Sequence, residues 1–441
     1  MTLSPPVPGA PRQLKTPTVA ERKLRSGLRV YAVRKPGVPK VELQLIVPVG
    51  AGMPPGASEL LVKTLTAGTS ARSSVEIAIE LQRLGSSLDA GASADALSVG
   101  GSVLSPNLES YLSLLAEILT DAVYPKDEIA VERERVLQEI QIARSNPQTL
   151  AQEAVRRRMF GKHPYGTVLP PTSAVEKIAR TTITRVHAER VQPREATMVI
   201  VGDVQPGRAL DLVEKTLSSW RRGKAIAGIP DPGPLRAGPT QIVDRPGAVQ
   251  TNIRFAGAAV GPAHADTFAL ECANGIFGGA ATSRLFLNIR EDKGYTYSPY
   301  STFRHLQHAS YFEVGAEVGT EVTAPSLVET RYELGRMAAL EVGKEELEAV
   351  QRYLTGLMAL RIQSQRGLAA SLARLTTYGL GVDYLKDYPR RINAVTTADV
   401  LDVADRYLAP ARLVAVLVGD ASRIANRVEA LEPVQVVSAT A

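Results

Sequence analysis

The sequence predicts an α+β protein of two duplicated domains, each a mixed, largely antiparallel sheet packed with helices, and three observations carry that reading. First, residues 193–203 (Pro-Arg-Glu-Ala-Thr-Met-Val-Ile-Val-Gly-Asp) are echoed by residues 410–420 (Pro-Ala-Arg-Leu-Val-Ala-Val-Leu-Val-Gly-Asp). The Gly-Asp pairs fall at 202–203 and 419–420, 217 positions apart in a chain of 441. Each copy follows an amphipathic helix that begins near a Thr-Thr pair, Thr181-Thr182 or Thr396-Thr397. A buried strand alone can recur by chance, but strand, preceding Pro, helix and half-length offset together point to an internal repeat. Second, Arg221 to Arg245 carries Pro230, Pro232, Pro234 and Pro239 among several glycines, the composition of an interdomain linker. Third, strands alternate with helices irregularly and in hairpin-like pairs, unlike the regular succession of a doubly wound parallel sheet.

These observations place a disordered tail over 1–23, a first domain over 24–222, a linker over 223–239, a second domain over 240–432 and a short tail over 433–441. Val41 to Val49 is a continuous apolar strand. Pro55 to Ala67 has Ala57, Leu60, Leu61, Thr64 and Leu65 at helical spacing. Ser73-x-x-Glu76 is a capping box that opens a helix ending at Gly85. Leu97, Val99 and Val103 alternate as in a strand, and Ser105-Pro106 starts a helix carrying Leu108, Tyr111, Leu112, Leu115 and Leu119. Asp127 to Arg144 is a further helix, and the second half repeats the mixture with strands near 295–304 and 310–318.

Composition excludes several classes. No apolar run reaches the roughly 18 residues of a transmembrane helix. The single cysteine, Cys272, cannot form an internal disulfide, which suits a reducing, cytoplasmic setting. The net charge of +6 is spread along the chain and interleaved with acids, as in Glu132-Arg133-Glu134-Arg135, and aromatics are only 5%. A nucleic-acid binder concentrates its basic residues instead. The basic N-terminus holds Pro5, Pro6, Pro8, Pro11 and Pro17, which forbid the continuous helix of a mitochondrial presequence. His305-x-x-His308 has half of a metal spacing but no acidic or Cys companion, so it reads as surface polar.

A family signature runs from about residue 24 to 425. Gly56-x-x-x-Leu60-Leu61-x-x-x-Leu65-x-x-Gly68-Thr69 is followed by Leu84-Gly85-Ser86-Ser87-Leu88-Asp89-Ala90 and by Val131-Glu132-Arg133-Glu134-Arg135-Val136-Leu137-Gln138-Glu139-Ile140. Later come His163-Pro164-Tyr165-Gly166 and Ser283-Arg284-Leu285-x-x-x-Ile289-Arg290-x-x-x-Gly294-x-x-Tyr297. In this order and spacing, the set resembles the insulinase-like, inverted-zincin metallopeptidases, which include pitrilysin and the mitochondrial processing peptidase. Active members carry H-x-x-E-H on the helix matching Pro55 to Ala67. Two His at i and i+4 share a face and reach one zinc, the Glu between them polarises the bound water, and a Glu from a later helix completes the site.

Aligned on Gly68-Thr69, the two His positions fall on Glu59 and Lys63, the catalytic Glu position on Val62, and the third ligand on Glu139, with Glu132 as its companion. Val62 cannot activate water, and Lys63 has no lone pair to donate. The resemblance therefore implies a degenerate metal site and no metal in this chain. Lys63 is expected beside Glu139, with Glu59 as a second candidate partner, its ammonium standing in for the metal's charge. As an alternative, Glu132 and Glu139 form an ordinary solvated helix face. Gly275-x-x-Gly278-Gly279 is shorter than the glycine-rich loop of the non-catalytic mitochondrial subunit, and no Gly-Lys-Ser/Thr follows it to make a phosphate loop.

Arg290 and Tyr297 match an Arg–Tyr pair that, in the family, points at substrate over the zinc. Two-chain members divide the work, one subunit holding zinc and the other supplying this pair. The resemblance thus implies the non-catalytic, substrate-binding subunit of a heterodimeric zinc endopeptidase. Its partner would be a paralogous H-x-x-E-H subunit that holds the zinc, its substrate a peptide, with neither nucleic acid nor membrane involved. The alternatives are a structural core subunit of a larger complex, with no part in proteolysis, and a stand-alone peptide-binding module.

Overall fold

The computed structural model describes residues 17–235 and 238–438. The first half runs β1 (Val19–Lys23), β2 (Arg29–Arg34), β3 (Lys40–Pro48), α1 (Ala57–Thr64), α2 (Ser74–Arg83), β4 (Ser87–Ala92), β5 (Ala96–Leu104), α3 (Leu108–Asp121), α4 (Lys126–Ser145), α5 (Pro147–Phe160), α6 (Thr172–Glu176), α7 (Arg180–Arg190), β6 (Thr197–Gly202) and α8 (Pro206–Thr216). The second runs β7 (Thr240–Asp244), β8 (Gln250–Ala259), α9 (Thr267–Phe277), α10 (Arg284–Phe286, continuing as a π-helix over Leu287–Asp292), β9 (Tyr300–His305) and β10 (Ser310–Gly319). It continues with α11 (Thr323–Ala339), α12 (Lys344–Arg361), α13 (Gln365–Thr377), α14 (Asp383–Asn393), α15 (Thr397–Val403), β11 (Val414–Gly419), α16 (Ala421–Glu429) and β12 (Val434–Ser438).

Two six-stranded mixed sheets result, ordered β1-β2-β6-β3-β5-β4 and β12-β7-β11-β8-β10-β9. The two copies of the repeated segment become β6 and β11, and each occupies the same place. β6 lies between a parallel β2 and an antiparallel β3, and β11 between a parallel β7 and an antiparallel β8. The carbonyl of each repeat glycine also accepts an equivalent bond, from Lys35 N to Gly202 and from Arg245 N to Gly419, both 2.8 Å. The remaining pairings are antiparallel except β12 with β7, so the sheets are mixed and largely antiparallel as the sequence implies.

The edge strands differ, and both correct the sequence reading. β1 lies within the stretch taken as an N-terminal tail, and pairs antiparallel with β2. β12 lies within the stretch taken as a C-terminal tail, and pairs parallel with β7. Charged β1 and half-exposed β12 need only one apolar face because each is an edge, which hides them in a composition-based reading. Residues 1–16 and 439–441 of those tails lie outside the described residues. The Pro-rich connection has neither helix nor strand over 221–235 and 238–239. It is docked on the first half: Ile229 is buried, Ala51 N donates to Ala227 O at 2.8 Å, and His163 Nε2 contacts Pro230 O at 3.0 Å.

The strands that read as continuous apolar runs are buried on both faces. Along β6, Met198 and Ile200 join a core with α1, α3, α7 and α8, whereas Val199 and Val201 turn to the opposite side. That opposite side is covered by the second half: Leu368, Leu372 and Leu375 of α13 pack on it. The second sheet reverses the arrangement. Ala415 and Leu417 of β11 face helices of their own half, while Val414, Val416 and Val418 face Ala151, Val155 and Met159 of α5 from the first half. Tyr165 reinforces the joint, for its buried hydroxyl donates to Asp95 Oδ1 at 2.5 Å and accepts from His308 N at 3.2 Å. Asp95 Oδ2 accepts from Gln307 N at 3.0 Å.

This exchange has a measurable consequence. Leu372→Ala should cost about 2–5 kcal/mol, the usual loss for emptying a buried Leu site. Trp220 is the single tryptophan and is buried in the first-half core. In urea unfolding, its fluorescence transition should move to lower denaturant together with the far-UV dichroism of the whole chain. A Trp220 transition that stays in place while the dichroism splits in two would contradict the exchanged-helix joint.

Candidate functional site

α1 starts at Gly56, which takes a left-handed φ of 81° where a Cβ would press on Val175 Cγ2 at 2.7 Å. Ala57, Leu60, Leu61 and Thr64 form the buried face. Glu59 and Lys63, one turn apart, share the other face. Val62 is partly buried against the first-half core, so its side chain serves packing.

α4 packs on α1 and carries Glu132 and Glu139, two turns apart. Lys63 Nζ lies 2.8 Å from Glu139 Oε1, the pairing that the charges at those positions imply. The pair is not buried, since the two side chains are 39% and 51% exposed, so for Glu139 the alternative of a solvated helix face holds as well. Water therefore screens the pair, and its worth is at most about 1 kcal/mol. Glu59 does not join it: Glu59 Oε2 is buried without a hydrogen-bond partner among the described residues. Glu132 Oε1 takes Arg135 at 2.6 Å, and Glu132 Oε2 is likewise buried without a partner. Two orphaned carboxylate oxygens thus lie on α1 and α4, which pack together.

Zinc does not fit these residues. The set offers no imidazole, Val62 offers no donor, and an ammonium occupies the oxygen that would be the third ligand. Among the described residues no group of three or more His, Cys, Asp or Glu is placed to hold a metal.

Arg290 and Tyr297 form a separate group in the second half. α10 opens after Ser283, and Arg284 clamps Glu346 of α12 through two bonds of 2.8 Å while Leu285 enters the core. That pairing holds the Arg284 guanidinium above its ordinary pKa. The helix widens to π geometry over 287–292 and stops at Gly294, whose φ is 64° and whose N–H bonds to Arg290 O at 3.1 Å. The chain then turns back, so that the Arg290 guanidinium is sandwiched between the Phe286 and Tyr297 rings, 4.5 Å from each centroid. Tyr297 was expected on a strand; it lies in the loop before β9, which starts only at Tyr300, and it is 79% exposed. The reversal at Gly294 needs those intervening residues. Phe286 was missed in the sequence, although its position four residues before Arg290 on a helix placed both on one face.

The other motif residues have structural roles. Tyr165 ties the halves together. Gly278 and Gly279 close α9, each N–H bonding to Asn274 O. His305 corrects the surface-polar reading: it is half-buried, stacks on Phe303 and meets Ser310 Oγ through Nδ1 at 2.9 Å. Burial lowers its pKa to about 4, with Arg374 adding to the effect.

The geometry defines a duplicated α+β chain with two like sheets, in which α1 carries Glu59, Val62 and Lys63 and pairs Lys63 with Glu139 of α4. Residues 29–172 match the family described as Insulinase (Peptidase family M16), and residues 177–354 match Peptidase M16 inactive domain. The chain belongs to the insulinase family. An uncharacterized zinc protease of Mycobacterium tuberculosis is 26% identical over 90% of this chain and 92% of its own length. One of Mycobacterium leprae is 28% identical over 64% of this chain and 65% of its own. Among solved structures, a peptidase M16 inactive domain from Pseudomonas fluorescens superposes with a TM-score of 0.85 at 24% identity, covering 91% of this chain and 98% of that one. A protease from Helicobacter pylori gives 0.83 at 21% identity, covering 91% and 99%.

Two measurements follow from α1. Glu139→Gln should change stability by less than about 1 kcal/mol in denaturant titration, since the ion pair it breaks is half exposed. Metal analysis of the purified chain should find no stoichiometric zinc. The triple variant Glu59→His, Val62→Glu, Lys63→His should gain about one zinc per chain, because two imidazoles one turn apart then face Glu139. Tight zinc in the unaltered chain would refute the reading of α1.

Proposed function

We propose that this chain is the non-catalytic, substrate-binding subunit of a heterodimeric zinc endopeptidase acting on peptides. Arg290 and Tyr297 then serve a paralogous H-x-x-E-H partner in trans. The observation that carries this is the stack of a partly buried Arg290 on an exposed Tyr297. Arg290 Nε lies 3.3 Å from Glu291, and no hydrogen bond among the described residues engages its terminal nitrogens. Tyr297 contributes almost nothing to the core, yet its ring holds the guanidinium in one plane. A pre-oriented fork beside a phenol hydroxyl suits a substrate carbonyl and the negative charge that develops on it.

In this reading the partner's zinc supplies the activated water. Arg290 and Tyr297 hold the peptide and donate hydrogen bonds to the reacting carbonyl oxygen. Phe286 keeps the guanidinium from swinging away. The match to an inactive M16 domain favours partnership with an active subunit, and the zinc-protease names of relatives favour a proteolytic assembly. No helix among the described residues is long and apolar enough to cross a membrane. With Cys272 buried and unpaired, we place the assembly in the cytoplasm.

The test uses the complex co-purified with its partner. Tyr297→Phe removes one hydroxyl and should lower kcat by about 10²–10³, the usual loss of one oxyanion donor. Arg290→Lys keeps the charge but loses the planar fork and should also impair turnover. Assembly, read by size-exclusion chromatography, should be unchanged. A raised KM with unchanged kcat would reduce the pair to a docking site. Peptidase activity within about twofold of the parent for both variants would remove the proposal and leave a scaffold subunit.

A further inference from the structure

The two sheets end on four edge strands, β1 and β4 in the first, β12 and β9 in the second. An open edge offers a row of unpaired N–H and C=O groups, and proteins that stay apart guard it with charges or Pro. Three of these edges are guarded by charge. β1 carries Glu21, Arg22 and Lys23, and Arg22 is tied to Asp211 and Glu214 of α8 at 2.9 and 2.8 Å. β4 carries Asp89, and β9 carries Arg304. β12 holds in the second sheet the place that β1 holds in the first, yet it reads Val-Gln-Val-Val-Ser and has no charge.

The open side of β12 can be assigned residue by residue. Thr240 N of β7 donates to Pro433 O at 2.9 Å, so the Pro433 carbonyl points into the sheet. Backbone direction alternates along a strand. Gln435 and Val437 therefore also turn to β7, while Val434 and Val436 turn their N–H and C=O groups away from it. No backbone hydrogen bond among the described residues takes up those groups. Val436 is itself 51% exposed. It lies across from Ile242, which is buried in the second-half core, so Val436 carries an apolar face out to the rim of the sheet.

The occupant that fits such an edge is the same edge reversed. Turned antiparallel about a two-fold axis at Val436, a second β12 sets Val436 against Val436, and the two exchange both of their outward N–H···O bonds. In that register Val434 lies opposite Ser438 and Gln435 opposite Val437, so no charge meets another and the Val436 side chains cover each other. We propose that β12 is a self-association surface, through which a second copy of this chain pairs antiparallel and joins the two second-half sheets into one. A strand of 5 residues is small beside the roughly 1,200–2,000 Å² of stable interfaces, so the dimer is weak and reversible. The proposal is independent of any role for Arg290 and Tyr297.

Sedimentation velocity of the purified full-length chain, from about 5 to about 300 μM, should show a monomer that passes reversibly into a dimer. Val436→Lys sets two ammonium groups face to face and should weaken the association about tenfold or more. Its far-UV dichroism should match the parent, because Val436 is half exposed at an edge. Val436→Cys reads the register itself and does not depend on the Lys variant. Facing residues of a hydrogen-bonded pair have Cα atoms about 5.5 Å apart, within disulfide reach, so mild oxidation should yield a covalent dimer. Gln435→Cys faces Val437 instead of itself and should cross-link more slowly, while Cys272 is buried and should stay reduced. The proposal is overturned if the chain stays monomeric throughout that range, if folded Val436→Lys dimerises like the parent, or if Val436→Cys cross-links no faster than Gln435→Cys. It is equally overturned if the chain alone is monomeric and Val436→Lys instead abolishes binding of the H-x-x-E-H partner, since the edge then serves a different strand.

Discussion

Each sheet of this protein is apolar on both faces, and each half covers one of those faces mainly with its own helices. Much of the remaining face is covered by the other half: α13 lies on β6 and β3, and α5 on β8 and β11. Separating the halves would expose Val199 and Val201 on one side and Val414, Val416 and Val418 on the other, all buried as the chain stands. At about 25 cal/mol per Å² of apolar surface, several such side chains outweigh any single ion pair on the surface. The mutual position of α1 and of the Arg290 stack therefore rests on the α5 and α13 packing. The Tyr165–Asp95 bonds to the β9–β10 connection fix its register.

That arrangement explains what could be seen in the sequence. The runs Met198 to Val201 and Val414 to Val418 lack the alternation of a half-exposed strand because both of their sides are buried, so they stand out as the clearest repeat in the chain. The capping box at Ser73 and Glu76 is equally visible because it is local chemistry: both of its bonds form within four residues. β1 and β12 were not visible. As edge strands they carry charges or half-exposed positions, and their pairing depends on partners elsewhere in the fold. α5 was missed for a related reason. Its Arg156, Arg157 and Arg158 mask an apolar face that only the opposite half requires.

The candidate site divides in the same way. That Glu59, Val62 and Lys63 offer no imidazole could be read directly, the family resemblance having marked those positions and helix spacing setting which of them share a face. The Lys63–Glu139 pair was expected on charge, but its exposure depends on how α4 crosses α1, which spacing does not encode. Arg290 and Tyr297 could be named, while the loop position of Tyr297 could not. The π-helix and the left-handed Gly294 reset the path between them, and stacking holds the two side chains together.

The central claim is that this chain contributes to peptide cleavage without a metal of its own. The direct measurement is peptide hydrolysis by three samples: this chain, its H-x-x-E-H partner, and the two mixed across a range of ratios. The account predicts no hydrolysis by this chain alone, little by the partner alone, and activity that rises with added chain until the two are equimolar. Full activity of the partner alone, unchanged by adding this chain, would contradict it.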